Sequence, residues 1–186
     1  MLAQVGLTAI DFRGIEQALP PLREASHLFL PINDNPNPAV AEGGSHWSLL
    51  VVGLQDRVAF HYDSMMDGNN RFARDVTKKL EVLLNRRLSF YSLPDTPQQD
   101  NSSDCGMHVC MTMKHLLLRR LLQAPASQNV DMSMAGKRQD ATQGRKDMLK
   151  LIERLRARAI RRYASSPVYS ISKHAEICAF KWKPRW

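Results

Sequence analysis

The strongest constraint on the fold is a pair of apolar, β-branched segments separated by only two residues. The segments are WSLLVVGL (47–54) and RVAFHY (57–62). Their residue types favour β-strands. Gln55 and Asp56, which lie between them, suit a hairpin turn. We therefore expect the two strands to pair.

Further strands and helices follow from the spacing of the apolar residues. HLFLPIN (27–33) and LSFYSL (88–93) are short apolar runs bounded by turn-forming residues, which is typical of strands. Apolar residues recur every three to four positions in residues 71–88, 105–122 and 144–162, which predicts amphipathic helices. The chain therefore mixes strands with helices.

A single globular domain accounts for most of the chain. The 186 residues, 44% hydrophobic and 24% charged, are enough to bury a core without disulfides. Residues 123–144 are small and polar with weak periodicity, which indicates a mobile connection. We assign the domain to residues 1–160 and expect a basic, disordered tail at 161–186.

The positive charge is concentrated at the C-terminal end. Residues 145–186 hold 12 of the 26 Lys and Arg residues but only 3 of the 18 acidic residues. Clustered basic residues can contact nucleic acid or anionic membranes, or serve as a localisation signal. A solvated helix face with a loose tail is the simpler interpretation, because no nucleic-acid-binding motif accompanies the charge.

The cellular setting follows from two missing patterns. No apolar run reaches the roughly 20 residues of a membrane span, and the first residues lack the layout of a secretory signal. We expect an intracellular protein in the cytoplasm, the nucleus or both. The three cysteines, without a Cys-x-x-Cys, predict neither a disulfide framework nor a zinc site.

Cys105 is the candidate nucleophile. It opens a predicted helix that Asp104 is suited to cap, and the helix N-terminus favours a thiolate. Gly106 leaves room for a carbonyl to approach. A buried structural cysteine is the alternative, and we expect that role for Cys110, which should face the core, whereas Cys178 is incidental.

A thiolate nucleophile also needs a base and a carboxylate that orients it. His46 begins one predicted strand and Asp63 ends the next, so a hairpin brings them near each other. A histidine that bonds only to backbone and an aspartate that only forms a turn are the simpler alternatives. The remaining histidines lack a comparable arrangement: His27, His61, His108, His115 and His174.

An oxyanion formed during acyl transfer needs a neutral hydrogen-bond donor beside the nucleophile. Gln99 lies six residues before Cys105, on the loop that leads into its helix. Its neighbour Gln98 is the competing candidate.

Taken in chain order, HWSLLVV, FHYDS and PQQDNSSDCGMHVC resemble the Ulp or sentrin-specific cysteine protease family. FLPINDN and LLVVGLQDRVAFHYDS are similar to its deneddylase branch in particular. The resemblance runs from Gly14 to Arg158 and is strongest between His27 and Leu121.

The resemblance implies an α+β, papain-like fold in which a mixed sheet packs against helices and the nucleophile lies at a helix N-terminus. It implies that His46 is the general base, Asp63 its orienting acid, Cys105 the nucleophile and Gln99 the oxyanion donor. Trp47 matches a tryptophan that covers the Gly-Gly tail of a bound modifier; a core aromatic is the alternative.

The implied reaction is cleavage after the C-terminal Gly-Gly of a Nedd-type ubiquitin-like modifier, without metal or cofactor. The implied partners are that modifier and its protein conjugates, such as cullins. We expect a monomer that binds neither nucleic acid nor membrane. A SUMO-specific protease and an acyltransferase of the bacterial effector type are alternatives.

One feature departs from the family pattern. Family members begin with helices that include a tryptophan-bearing segment, and nothing similar precedes His27. We therefore expect the chain to start inside the domain and to expose apolar surface. A catalytically impaired fragment that still binds the modifier is a further alternative.

Overall fold

The computed structural model describes residues 22, 25–37, 43–66, 68–125 and 128–164. Within these residues, four strands and three α-helices follow in the order β1 (His27–Asn33), β2 (Trp47–Gly53), β3 (Val58–Tyr62), α1 (Asn70–Leu84), β4 (Ser89–Ser92), α2 (Cys105–Leu116) and α3 (Ala141–Ala164). A π-helical segment, Leu117–Leu121, continues directly from α2. The mixed α+β class predicted from the sequence is confirmed.

The four strands form one sheet in the order β1-β2-β3-β4. β1 pairs antiparallel with β2, and β2 pairs antiparallel with β3, which confirms the predicted hairpin. β4 joins β3 in parallel, after the chain has crossed over through α1. The hairpin turn is wider than two residues, because Arg57 takes a left-handed conformation with φ of 57° and the next strand starts at Val58.

Both faces of the sheet are covered, and alternating residues of β2 supply the two cores. Leu50 and Val52 pack toward α1, whereas Leu49 and Val51 pack toward α2. Every residue of β2 after Trp47 is buried. A strand that is buried on both faces is apolar at nearly every position. This explains why SLLVV does not alternate between apolar and polar residues.

The prediction of a mobile connection over residues 123–144 is wrong from Val130 onward. Met132 and Met134 are buried in the core on the α2 side. The Tyr62 hydroxyl donates to the carbonyl of Met132 at 2.7 Å. An extended segment that packs through two methionines has no helical period, so the spacing of its residues could not reveal it.

Contacts divide the chain into two units, Met1–Gly144 and Arg145–Trp186. α3 begins in the first unit and confirms the predicted third helix. In the second unit its larger apolar residues are exposed: Leu149, Leu151, Ile152, Leu155 and Ile160. Of the predicted tail, residues 161–164 belong to α3, and the rest, from position 165 onward, lies outside the described residues. None of the described helices has the length and apolar content needed to cross a membrane.

Candidate active site

Cys105 is the first residue of α2, which packs against β2. The cysteine is free and buried, with 7% of its surface exposed. At a helix start it lies beside backbone N–H groups without intrahelical partners and near the positive end of the helix dipole. The sulfur therefore lies at the end of the helix where partial positive charge accumulates.

Asp104 occupies the N-cap position, but within the described residues its side chain makes no capping hydrogen bond. The Asp104 carboxylate instead accepts a hydrogen bond from the side-chain amide of Asn101 at 2.8 Å. The predicted side-chain cap is therefore wrong, because this carboxylate holds the preceding loop. Asp104 still begins the helix through its carbonyl, which accepts from the N–H of His108.

His46 and Asp63 form a buried pair, with 2.6 Å between His46 Nε2 and Asp63 Oδ1. A carboxylate only accepts hydrogen bonds, so the imidazole proton lies on Nε2. His46 Nδ1 is then the ring nitrogen with a lone pair, and it is buried without a hydrogen-bond partner among the described residues. The pair thus presents one basic nitrogen on the side away from Asp63.

Asp63 is held as a carboxylate by several donors. Its Oδ1 also accepts from the backbone N–H of Met65 at 3.0 Å, and its Oδ2 accepts from that of Asn69 at 2.7 Å. Burial raises the pKa of Asp63, but the hydrogen bonds from His46, Asn69 and Met65 outweigh it and hold the pKa below its usual value. Asp63 is therefore charged at neutral pH.

The backbone of His46 is fixed from both sides. Its N–H donates to the carboxylate of Asp34 at 2.9 Å. Its carbonyl accepts from the side-chain amides of Asn33 and Asn69, each at 3.2 Å. Asn69 thus contacts both members of the pair, His46 through its side chain and Asp63 through its backbone.

The two glutamines before Cys105 have different surroundings. Gln98 Nε2 donates to the carbonyls of Asp63 and Thr96, both at 2.9 Å, and its Oε1 accepts from the N–H of Met66. The Gln98 amide therefore holds backbone at both ends.

Gln99 is attached to the residue that follows the acid. Its backbone N–H donates to the carbonyl of Ser64 at 2.9 Å, and its Oε1 accepts from the Ser64 hydroxyl at 2.6 Å. Gln99 Nε2 donates to the carbonyl of Asn101 at 2.6 Å.

The structure tests the predictions for Trp47, Gly106 and Cys110 by their exposure. Trp47 is 42% exposed, so the alternative of a core aromatic is wrong. A methyl group at Gly106 would meet open space, so room exists beside the nucleophile. Cys110 is exposed, not core-facing as predicted, because the buried side of α2 runs through His108, Val109, Thr112 and Leu116.

The structure describes four of the five other histidines, and none of the four is bonded to Asp63 in the way that His46 is. His61 is fully buried in β3 and contacts the Ser48 hydroxyl at 2.9 Å. Burial lowers the pKa values of His27, His108 and His115. His174 and Cys178 lie outside the described residues. Among the described residues, no group of three or more acidic, histidine or cysteine side chains could hold a metal ion.

Sequence patterns did not reveal the polar residues that fix the site, namely Asp34 and Asn69 at the His46–Asp63 pair and Ser64 at Gln99. Each is separated from the residue it contacts by 6 to 35 positions. Asn33, Asp34 and Asn35 lie in FLPINDN, which was singled out only through its similarity to the family. A lone serine after Asp63 carried no signal.

The fold is mixed α+β, and a cysteine begins one of its helices. A buried histidine lies just before β2, and the aspartate that it contacts lies just after β3. These features together define the class of papain-like cysteine peptidases. Residues 11–148 match the family described as "Ulp1 protease family, C-terminal catalytic domain". The chain therefore belongs to the Ulp1 protease family, as its motifs predict.

Two curated relatives show the similarity in detail. NEDD8-specific protease 2 of Schizosaccharomyces pombe is 42% identical over 144 residues, which cover 77% of this chain and 34% of that protein. Human sentrin-specific protease 8 is 50% identical over 86 residues, 44% of this chain and 39% of that protein. The chain thus spans about a third of the length of one relative and two fifths of the other.

A solved structure supports the fold. The Xanthomonas campestris effector protein XopD, solved bound to ubiquitin, matches with a TM-score of 0.57 at 24% identity. The match covers 80% of this chain and 73% of that one. The Ulp1-type fold is therefore shared.

Proposed function

We propose that this chain is a cysteine protease that cleaves after the C-terminal Gly-Gly of a Nedd-type ubiquitin-like modifier. The observation that carries the proposal is the buried 2.6 Å contact between His46 and Asp63, which leaves Nδ1 of His46 without a partner among the described residues. Relatives named NEDD8-specific proteases support the choice of modifier.

In the proposed reaction, Nδ1 of His46 takes the thiol proton of Cys105. The thiolate attacks the carbonyl carbon of the last glycine, so a C–S bond forms and the oxygen becomes an oxyanion. The C–N bond then breaks, and the imidazolium returns its proton to the departing amine. Water, deprotonated by His46, forms a C–O bond to the thioester carbon. The C–S bond then breaks, the carboxylic acid loses its proton to solvent, and the imidazolium returns its proton to the sulfur.

The proposed oxyanion donor is Gln99 rather than Gln98. Both N–H groups of the Gln98 side chain already donate to backbone carbonyls. The Gln99 side chain uses one N–H on the carbonyl of Asn101, and the described residues offer no partner to the second. That second N–H supports the assignment.

The proposed recognition of the Gly-Gly tail involves Trp47. Its indole is partly exposed at the first position of β2, next to His46. Two glycines have no side chains, so a narrow channel beside an indole would admit them and exclude larger residues by size. Conjugates of the modifier, cullins among them, are the proposed substrates.

The test compares hydrolysis of fluorogenic C-terminal derivatives of NEDD8, SUMO and ubiquitin by the purified chain. We expect the NEDD8 derivative to be cleaved fastest, and the Cys105→Ala variant to cleave none of them. Preference for the SUMO derivative would overturn the assigned specificity. Saturable binding of NEDD8 without hydrolysis would replace the proposed activity with modifier binding.

A further inference from the structure

The side-chain amide of Gln99 is fixed at both ends. The Ser64 hydroxyl donates to Oε1, and Nε2 donates to the carbonyl of Asn101, both at 2.6 Å. If the amide turned over, Oε1 would face the Asn101 carbonyl, and two acceptors would oppose each other. The two contacts therefore select one orientation of the amide.

That orientation directs the nitrogen end toward the loop that precedes the nucleophile. Asn101 accepts from Gln99 through its carbonyl and donates through its side chain to the carboxylate of Asp104 at 2.8 Å. Asp104 is followed directly by Cys105. A chain of hydrogen bonds thus runs from Ser64, through Gln99 and Asn101, to the residue before the nucleophile.

Ser64 is the buried, fixed end of this series of hydrogen bonds. It follows Asp63 directly and is 3% exposed. Its carbonyl also accepts the backbone N–H of Gln99 at 2.9 Å, so the two residues are joined by backbone and side chain together. The backbone bond would remain without the hydroxyl, so removing the hydroxyl frees mainly the amide.

We propose that Ser64 is a positioning residue that orients the Gln99 amide so that an N–H of Nε2 is available to the oxyanion. This inference rests on the proposed function, because it assigns Gln99 the role of oxyanion donor. Ser64 touches neither the substrate nor the reacting sulfur in this account; it acts only through Gln99.

A double-mutant cycle tests the proposal with Ser64→Ala, Gln99→Ala and the double variant. Using the NEDD8 fluorogenic derivative, we expect Ser64→Ala to lower kcat by about tenfold with KM unchanged, the effect of one lost hydrogen bond in the transition state. We expect the double variant to be no slower than Gln99→Ala, because Ser64 acts through the amide.

Ser133→Ala is the matched control. The Ser133 hydroxyl also donates a hydrogen bond to a side chain, the Asp95 carboxylate, at 2.5 Å. It lies outside the candidate site, so its loss should leave kcat at the parental value. A Ser133→Ala variant as slow as Ser64→Ala would mean that any loss of such a bond slows the protein, and would overturn the inference.

The outcomes separate the inference from the proposed function. Two results would overturn only the role of Ser64. One is a parental kcat in Ser64→Ala, and the other is that Ser64→Ala lowers kcat by the same factor in the parent and in Gln99→Ala. Parental kcat in Gln99→Ala would overturn both roles.

If the parent chain hydrolyses no modifier derivative, the proposed function fails, and NMR of ¹⁵N-labelled protein still tests the positioning. We then expect Ser64→Ala, but not Ser133→Ala, to shift the Gln99 side-chain amide resonances and to remove their contacts to Asn101. Unshifted resonances would overturn the inference.

Discussion

The Asp63 carboxylate accepts hydrogen bonds from one imidazole and two backbone N–H groups. These donors lower its pKa in the folded protein. In the unfolded chain an aspartate has a pKa of about 3.9. Asp63 therefore contributes stability that is fully present above that value and is lost as the pH falls through the lower folded pKa.

We predict that Asp63→Asn removes part of the acid sensitivity of the fold. The free energy of unfolding of the parent should fall steeply below about pH 4. The variant should start lower at pH 7 but lose less on acidification. Urea unfolding at pH 7, 5, 4 and 3 measures both curves, and parallel curves would show that Asp63 has no lowered pKa. Asp34, whose pKa is also lowered, titrates in both proteins.

At the residue level, the sequence predicted the separate groups better than their connections. Cys105 at a helix start and His46 and Asp63 at strand ends follow from element boundaries, which periodicity indicates. The bond between Ser64 and Gln99 joins residues 35 positions apart. Such a contact depends on how the loops fold back on the sheet, and no local pattern encodes it.

The Asp34 side chain joins the two described ends of the connection between β1 and β2, residues 34–37 and 43–46. Asp34 accepts from the N–H and hydroxyl of Ser45, each at 2.6 Å, and from the N–H of His46 at 2.9 Å. Gly43 and Gly44 come so close to Asn33, Asp34 and Asn35 that a side chain at either glycine would clash. Residues 43–45 therefore bring His46 to a defined position.

We predict that Asp34→Ala loosens this connection and slows turnover. Two backbone N–H groups lose their acceptor, so we expect a loss of about 1–3 kcal/mol in unfolding free energy. We also expect a fall in kcat that exceeds any change in KM, because the base is displaced while the substrate surface remains. The exposed Asp75→Ala on α1 is the control for removing an acidic residue. Equal kcat in the two variants would contradict this prediction.

Element boundaries followed from the sequence at β1 but not at the end of α1. β1 occupies the predicted residues 27–33. α1 ends at Leu84, four residues early, because Asn85 takes a left-handed conformation with φ of 50° and caps the helix. The change from α to π geometry after Leu116 and the parallel addition of β4 required tertiary context.

At the scale of the whole molecule, burial of histidines ties stability to pH. Burial lowers the pKa of His108, against weaker opposing effects of Pro97 and of Asp104 and Asp100. The unfolded value is about 6.5, so the unfolded chain binds more protons below it. The contribution of His108 is present above about pH 6.5 and is lost as the pH falls toward the lower folded pKa.

We predict that His108→Leu reduces the dependence of stability on pH between 7 and 5. Some dependence should remain, because burial also lowers the pKa values of His27 and His115. Unfolding free energies from urea titrations at pH 7, 6 and 5 provide the comparison. A slope equal to that of the parent would mean that His108 is not the buried titrating group.

The overall architecture could be predicted from the sequence for two reasons. The helices α1 and α2, which cover the sheet, have a clear helical period, and the paired central strands are apolar and β-branched. The packing of Met132 and Met134 was not, since an irregular segment has no period. The apolar residues of α3 recur at helical spacing, and the helix is present as predicted, but its larger apolar residues are exposed. A pattern shows which residues share a face, not whether another element covers that face.

The central claim is that Cys105 is activated by the His46–Asp63 pair, and covalent labelling tests it most directly. A NEDD8 derivative with a C-terminal electrophile is mixed with the parent, Cys105→Ala, Cys110→Ser and His46→Ala chains, and the adducts are located by peptide mass spectrometry. We predict one adduct on Cys105 in the parent and in Cys110→Ser, none in Cys105→Ala, and strongly slowed labelling in His46→Ala. Parental labelling rates in His46→Ala, or an adduct on Cys110 in place of Cys105, would contradict the account.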